Sequence, residues 1–132
     1  MFDKFMIVGE EFKNVTRNGA VVGFQIGMRL PYYRGVVLSL IGDTDLTVDG
    51  DLFSAEHMSV TLHGSTYKLT ELENESVAKW EFGEVGILTV DKPGGLLPGE
   101  HKVELGQHLK ISYVPWGFRG HDAKALTLAG PG

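Results

Sequence analysis

The chain has 132 residues and carries 12 Lys+Arg against 17 Asp+Glu, a net charge of −5 with no basic run and no cysteine. One domain spanning residues 1–132 with an ordinary core is expected at this length. The charge argues against nucleic acid or an anionic membrane as partner, and the missing cysteines exclude disulfides, a thiolate nucleophile and Cys-based zinc sites.

From the N-terminus, MFDKFMIVGEE lacks the apolar run and small-residue cleavage site of a signal peptide, and no stretch approaches the roughly 18 apolar residues of a membrane span. A soluble, cytoplasmic protein is expected. Asn18-Gly19 is a hairpin dipeptide joining FKNVT to a long strand over 20–30, with Val22, Phe24, Ile26, Met28 and Leu30 on one face and Gly23, Gln25, Gly27 and Arg29 on the other. Residues 36–41, apolar on both faces, read as a central strand, although a short buried helix has the same pattern. LTVDGDLF carries an Asp49-Gly50 turn, MSVTL alternates, and His63-Gly64 leads into TYKLT.

WEFGEVGILTVD reads as one strand that brings Val85, Ile87, Trp80 and Phe82 to or near the core. After the turn-rich KPGGLLPGE, HKVEL and QHLKISYV read as a second hairpin. Only ELENESVAKW (71–80) and HDAKALTL offer a turn or two of helix, without a useful apolar stripe. Short strands at regular spacing with turns between them imply an all-β fold. The expected form is a two-sheet antiparallel β-sandwich of immunoglobulin- or fibronectin-like packing with little or no helix.

Catalytic patterns are missing. The five histidines, His57, His63, His101, His108 and His121, show neither H-x-H nor H-E-x-x-H spacing. Alternation puts His101 and Glu104 on opposite faces of a strand, and it turns His63 and His108 outward with the polar residues around them. There is no nucleophile elbow, P-loop or dinucleotide fingerprint, and no pair of carboxylates stands out. Catalytic, cofactor-binding and metal residues are therefore all read as none, and each histidine as structural or solvated.

Two clusters stand above this background: RLPYYRG, with Tyr32, Tyr33 and Arg34, and VPWGFRGHD, with Trp116, Phe118 and Arg119. Tyr, Trp and Arg are enriched where surfaces are gripped, yet the same aromatics also plug the ends of sandwiches. Four aromatics on one patch would offer on the order of 600–1,000 Å², comparable with one partner's share of a standard interface. These six residues are the candidate partner- or substrate-contact site.

FKNVTRNGAVVGFQIGMRLPYYRG, DLTVDG, HGSTYKL, KWEFGEVGILTV and KPGGLLPGEHKVELGQHLKISYVP together resemble the small, beta subunit of bacterial C-glycoside deglycosidases. The resemblance implies a β-sandwich that assembles with a larger, barrel-type α subunit. That partner would carry a divalent metal, usually manganese, and the catalytic histidine. The complex of that family is a lyase acting on C-glycosides, flavonoid C-glycosides among them, whose sugar is already in the 3-keto form. A subunit of this kind needs no catalytic motif of its own. The competing readings are a stand-alone carbohydrate- or protein-binding sandwich that uses the same aromatics as a platform, and a self-contained metal enzyme built from scattered His and Glu.

Overall fold

The computed structural model describes residues 5–32, 34–110 and 118–129. It contains two antiparallel sheets facing one another. The first has the order β1-β2-β9-β6-β7, formed by β1 Ile7–Arg17, β2 Ala20–Met28, β9 Gly86–Asp91, β6 Met58–Leu62 and β7 Ser65–Lys68. The second has the order β11-β10-β4-β5, formed by β11 Phe118–Leu128, β10 Gly99–Leu109, β4 Ile41–Val48 and β5 Asp51–Phe53. A small ladder pairs β3 Val36–Val37 with β8 Lys79–Trp80. This is the expected all-β sandwich.

Three hairpins use the same local chemistry. Asn18-Gly19, Asp49-Gly50 and His63-Gly64 join β1 to β2, β4 to β5 and β6 to β7, and both residues of each turn have positive φ (51° and 79°, 52° and 88°, 52° and 79°). Mirror-image two-residue turns of this kind match the right-handed twist of the flanking strands, and glycine adopts the second position without a Cβ penalty. His63 is therefore a turn residue and not the outward end of its strand, the place that alternation predicted for it.

Between the sheets, Phe24, Ile26, Met28, Val60, Leu88 and Val90 meet Leu46, Val48, Val103, Leu105 and Leu109, all within 2% of full burial. Phe24 and Phe53 touch edge to face across the gap, with ring centroids 5.3 Å apart. Each such side chain contributes roughly 1.5–3 kcal/mol on burial. Along one side the sheets are stitched together by a buried carboxylate. Asp122 Oδ2 on β11 accepts from the Ile7 N–H of β1 at 3.0 Å, and Lys124 Nζ, 3.7 Å from the same oxygen, donates to the Ile7 carbonyl at 2.7 Å.

Several expected elements take another form. Residues 36–41 are not a central strand: β3 is two residues long, a 3-10 turn covers Leu38–Leu40, and Ile41 begins β4. WEFGEVGILTVD is broken at 81–85, so Trp80 belongs to β8 and only Gly86–Asp91 joins the large sheet. Its inward face is Gly86, Leu88 and Val90, opposite in parity to Val85 and Ile87, which are half-buried. Trp80 is fully buried and donates from Nε1 to the Glu84 carbonyl at 2.9 Å, whereas Phe82 is 57% exposed.

HKVEL and the start of QHLKISYV form one continuous strand, β10, running through Gly106; residues 111–114 lie outside the described residues. HDAKALTL is strand, because it adds to β10 as β11 along its whole length. The helical tendency of 71–80 survives only as a 3-10 segment over Leu69–Asn74.

Candidate functional site

The two sequence clusters meet at one end of the sandwich. β2 ends at Met28, and the chain continues through Arg29, half-buried, and Leu30 and Pro31, both buried, to Tyr32, half-buried and packed on the core. Pro31 lies directly against Gly120 of β11: a Cβ built on that glycine would come 2.4 Å from Pro31 Cβ. Any side chain at 120 would push the two clusters apart. Arg34 is exposed, and next to it the Glu81 carboxylate lies against Gly35, 2.8 Å from where a Cβ would be.

Phe118 opens β11 opposite Leu109, and Arg119 is opposite His108. Arg119 is exposed, and its Nη1 donates to Asp45 Oδ2 at 2.9 Å, which holds the guanidinium over the outer face of the second sheet. Tyr33 and Trp116 lie outside the described residues, so of the six candidate residues the structure brings Tyr32, Arg34 and Arg119 to this end and positions the backbone of Phe118 there.

Two aromatics missed by the sequence reading belong to the same end. Phe5 (50% exposed) and Phe82 (57% exposed) line a groove of about 340 Å³ with Arg29, Leu30 and Gly83. Arg29 ties its walls together, Nε donating to the Gly83 carbonyl and Nη1 to the Phe5 carbonyl, both at 3.3 Å. The strand reading of WEFGEVGILTVD puts Phe82 in or near the core. The Glu81–Glu84 turn, closed by Glu84 N–H to the Glu81 carbonyl at 3.1 Å, carries it outward, and the Phe-Gly pair inside WEFGEVG was the available signal.

The histidines divide. His63 is exposed and lies 2.9 Å from Glu84. His108 is half-buried against Gly42. His101 is buried at the opposite end of the sandwich, with Nδ1 2.5 Å from Asp49 Oδ2 and Nε2 2.7 Å from the Leu97 carbonyl. Both ring nitrogens face acceptors, so the doubly protonated ring satisfies both. The bond to the Leu97 carbonyl raises its pKa above the ordinary value, against the opposing effect of burial, and the Asp49 carboxylate adds to the rise. Asp49 is held below the usual carboxylate range by the His101 bond and by the Lys102 N–H, 2.8 Å from Oδ1. His101 thus ties the Asp49 turn to the loop at Leu97.

Among the described residues no group of three or more His, Asp or Glu side chains is placed to hold a metal ion. No helix among them is long and apolar enough to cross a membrane.

Comparison with known proteins is decisive for the family. A family described as C-glycoside deglycosidase beta subunit matches residues 2–113. The chain belongs to the C-glycoside deglycosidase beta subunit family. It is 35% identical to a C-glycoside deglycosidase beta subunit of Eubacterium cellulosolvens over 86% of this chain and 78% of that protein. To an Arthrobacter globiformis protein of the same description it is 28% identical over 87% of this chain and 89% of that one. A 3'-dehydrocarminate deglycosidase beta subunit of a Microbacterium species is 30% identical over 70% of each chain. As a member of this family the chain is a subunit of a larger enzyme, and the empty search for catalytic motifs concerns one component of it.

Proposed function

We propose that this chain is the accessory beta subunit of a heteromeric C-glycoside deglycosidase and that the end of the sandwich described above docks on, or borders the substrate pocket of, a barrel-type α subunit. The observation that supports the subunit role is the family match over residues 2–113, which takes in every strand before β11. The contact residues are Tyr32, Tyr33, Arg34, Trp116, Phe118 and Arg119, with Phe5 and Phe82 added by the groove. Of the described ones Phe5, Phe82, Arg34 and Arg119 are exposed, and aromatics and arginines are the residues enriched at interface centres.

In this division of labour the α subunit performs the chemistry. The ketone at C3 of the sugar acidifies the C2 proton, a base of the α subunit removes it, and the electron pair expels the aglycone carbon from C1 as that carbon takes up a proton. A divalent metal in the α subunit, Mn²⁺ by the family resemblance, would stabilise the enolate charge. The beta subunit supplies surface and no reacting group. We assign the complex to the lyases and to the cytoplasm.

Co-expression with the barrel-type partner, followed by assay on a 3-keto C-glycoside with and without this chain, tests the role. A partner that is fully active and stable alone would refute it. Arg34→Ala and Trp116→Ala then test the docking end. Each should weaken co-purification or turnover about tenfold or more while leaving the melting temperature of the isolated subunit in place. Complex and turnover both at wild-type level would remove this end from the interface.

A further inference from the structure

Between the second sheet and the 3-10 segment Leu69–Asn74 lies an open cleft that the docking end does not account for. β10 pairs with β4 at Gln107↔Thr44 and next at Leu109↔Ile41, so β4 carries one residue more than its partner opposite His108. Such a bulge leaves backbone groups without ladder partners and re-aims the side chains around it. Here the carboxamide of Gln107, with no exposed surface, fills the gap. Its Nε2 donates to the carbonyls of Gly42 at 3.2 Å, Asp43 at 3.3 Å and His108 at 2.8 Å, and its Oε1 accepts from Thr44 Oγ1 at 2.5 Å.

A buried amide with this set of partners fixes the bulge in one geometry. On the outer side the His108 ring rests on Gly42, whose Cβ, if present, would come 2.4 Å from Nδ1. A cleft of about 430 Å³ opens beside the bulge. Its lining includes Asp43, Thr70, Glu73, His108 and Lys110, with Leu69 as an apolar wall.

We infer that this cleft binds a neutral, hydroxyl-rich small molecule, a sugar or polyol. Its volume falls in the usual range for ligand sites, roughly 300–1,000 Å³. Two carboxylates accept from hydroxyls, an ammonium donates to them, and a threonine hydroxyl does either. Among the described residues Asp43, Glu73 and Lys110 are exposed, line the cleft and are not engaged in salt bridges, so their hydrogen-bonding capacity is open to a ligand there.

Two carboxylates against one lysine disfavour an anion, and the described residues lack the ligand set a metal ion needs. What remains is a ligand with many weakly polar O–H groups and a C–H face for Leu69. The cleft borders the docking end through the His108↔Arg119 pair. The inference concerns this chain's own cleft and stands whether or not that end is an interface.

Titration of the isotope-labelled full chain with D-glucose, myo-inositol and an aryl C-glucoside, with inorganic phosphate as anionic control, tests it. Saturable amide shifts in residues 41–44, 69–73 and 108–110 are expected with the neutral probes, and phosphate should bind more weakly. Asp43→Asn and Glu73→Gln should each weaken binding about tenfold through loss of a charge-assisted hydrogen bond. Gly42→Ala, which displaces the His108 ring, should do the same; His108→Ala reads the same contact if that variant fails to fold.

Equal affinity for glucose and the C-glucoside identifies the sugar hydroxyls as the recognised feature, and tighter binding of the C-glucoside identifies a glycoside as the source. Shifts that do not saturate at the solubility limit of the neutral probes, shifts confined to other residues, or phosphate binding as tight as glucose would overturn the inference.

Discussion

The two ends of the sandwich contrast in how their polar and apolar groups are used. At the end holding the Asn18-Gly19 and Asp49-Gly50 turns, polar groups are closed on one another. Asn14 both donates to the Leu96 carbonyl and accepts from the Leu96 N–H, each at 2.9 Å, and His101 joins the Asp49 turn to the loop at Leu97. At the other end Phe5 and Phe82 stand about half exposed over a groove. What separates the ends is how polar groups are engaged and which apolar groups are exposed. The first end ties its polar groups together within the chain and exposes the aliphatic Leu52 and Leu97, whereas the second exposes two aromatics beside arginines, the composition of an interface.

The largest effect should come from opening the first end. His101→Ala removes a buried ring that contacts Phe12 edge-on at 6.0 Å and leaves the Leu97 carbonyl without its donor. A loss of about 2–4 kcal/mol in chemical denaturation is expected, with co-purification of the partner unchanged per folded chain. A stability loss below about 0.5 kcal/mol would mean that the clasp is ornamental.

A smaller effect should follow pH. His101 has a folded pKa above its ordinary 6.5, so its contribution is complete below that value and is lost as pH rises through the raised one. Asp49 lies below its ordinary 3.8, so its contribution is complete above that value and is lost as pH falls through the lowered one. The clasp is therefore strongest between 3.8 and 6.5. The stability gap between the wild type and His101→Gln should be widest in that window and narrow on the alkaline side. A gap that stays constant through about pH 5–9 contradicts the assignment.

The smallest effect on folding belongs to the second end. Phe82→Ala should change stability by less than about 1 kcal/mol, since the ring is 57% exposed, yet it should weaken assembly with the partner. A destabilised monomer with intact assembly would reverse the contrast between the ends.

The sheets were legible where local chemistry decides the outcome. Asn18-Gly19 and Asp49-Gly50 announced their turns because few other pairs tolerate two positive φ values. The apolar run at 36–41 was not, since composition alone does not distinguish a strand from a 3-10 turn between two strands. HDAKALTL has the Ala, Lys and Leu of a helix, but the tertiary context of an open strand edge beside β10 overrides that propensity. Gly106 looked like a turn between two short strands, but its outward position opposite Asp45 lets β10 run through it.

Of the candidate site, the pairing of the two clusters was not written in either of them. It depends on Pro31 meeting Gly120, a contact across 89 positions that only the finished fold creates. Phe82 escaped because WEFGEVGILTVD reads as one continuous strand, whereas the 81–85 turn interrupts it. Gln107 gave no signal at all, since a single glutamine in a strand reads as solvent-facing until its partners across the bulge are known.

The stitch between Asp122, Lys124 and Ile7 bears on the order in which the chain can mature during synthesis. Its partners are 115 and 117 positions apart, so the first strand stays unsealed until residues 122–124 have been made. A ribosome-bound chain lacking those residues presents the edge of β1 to its surroundings, a strand edge available for mispairing with other nascent chains. Chaperone occupancy should therefore end only after β11 has emerged.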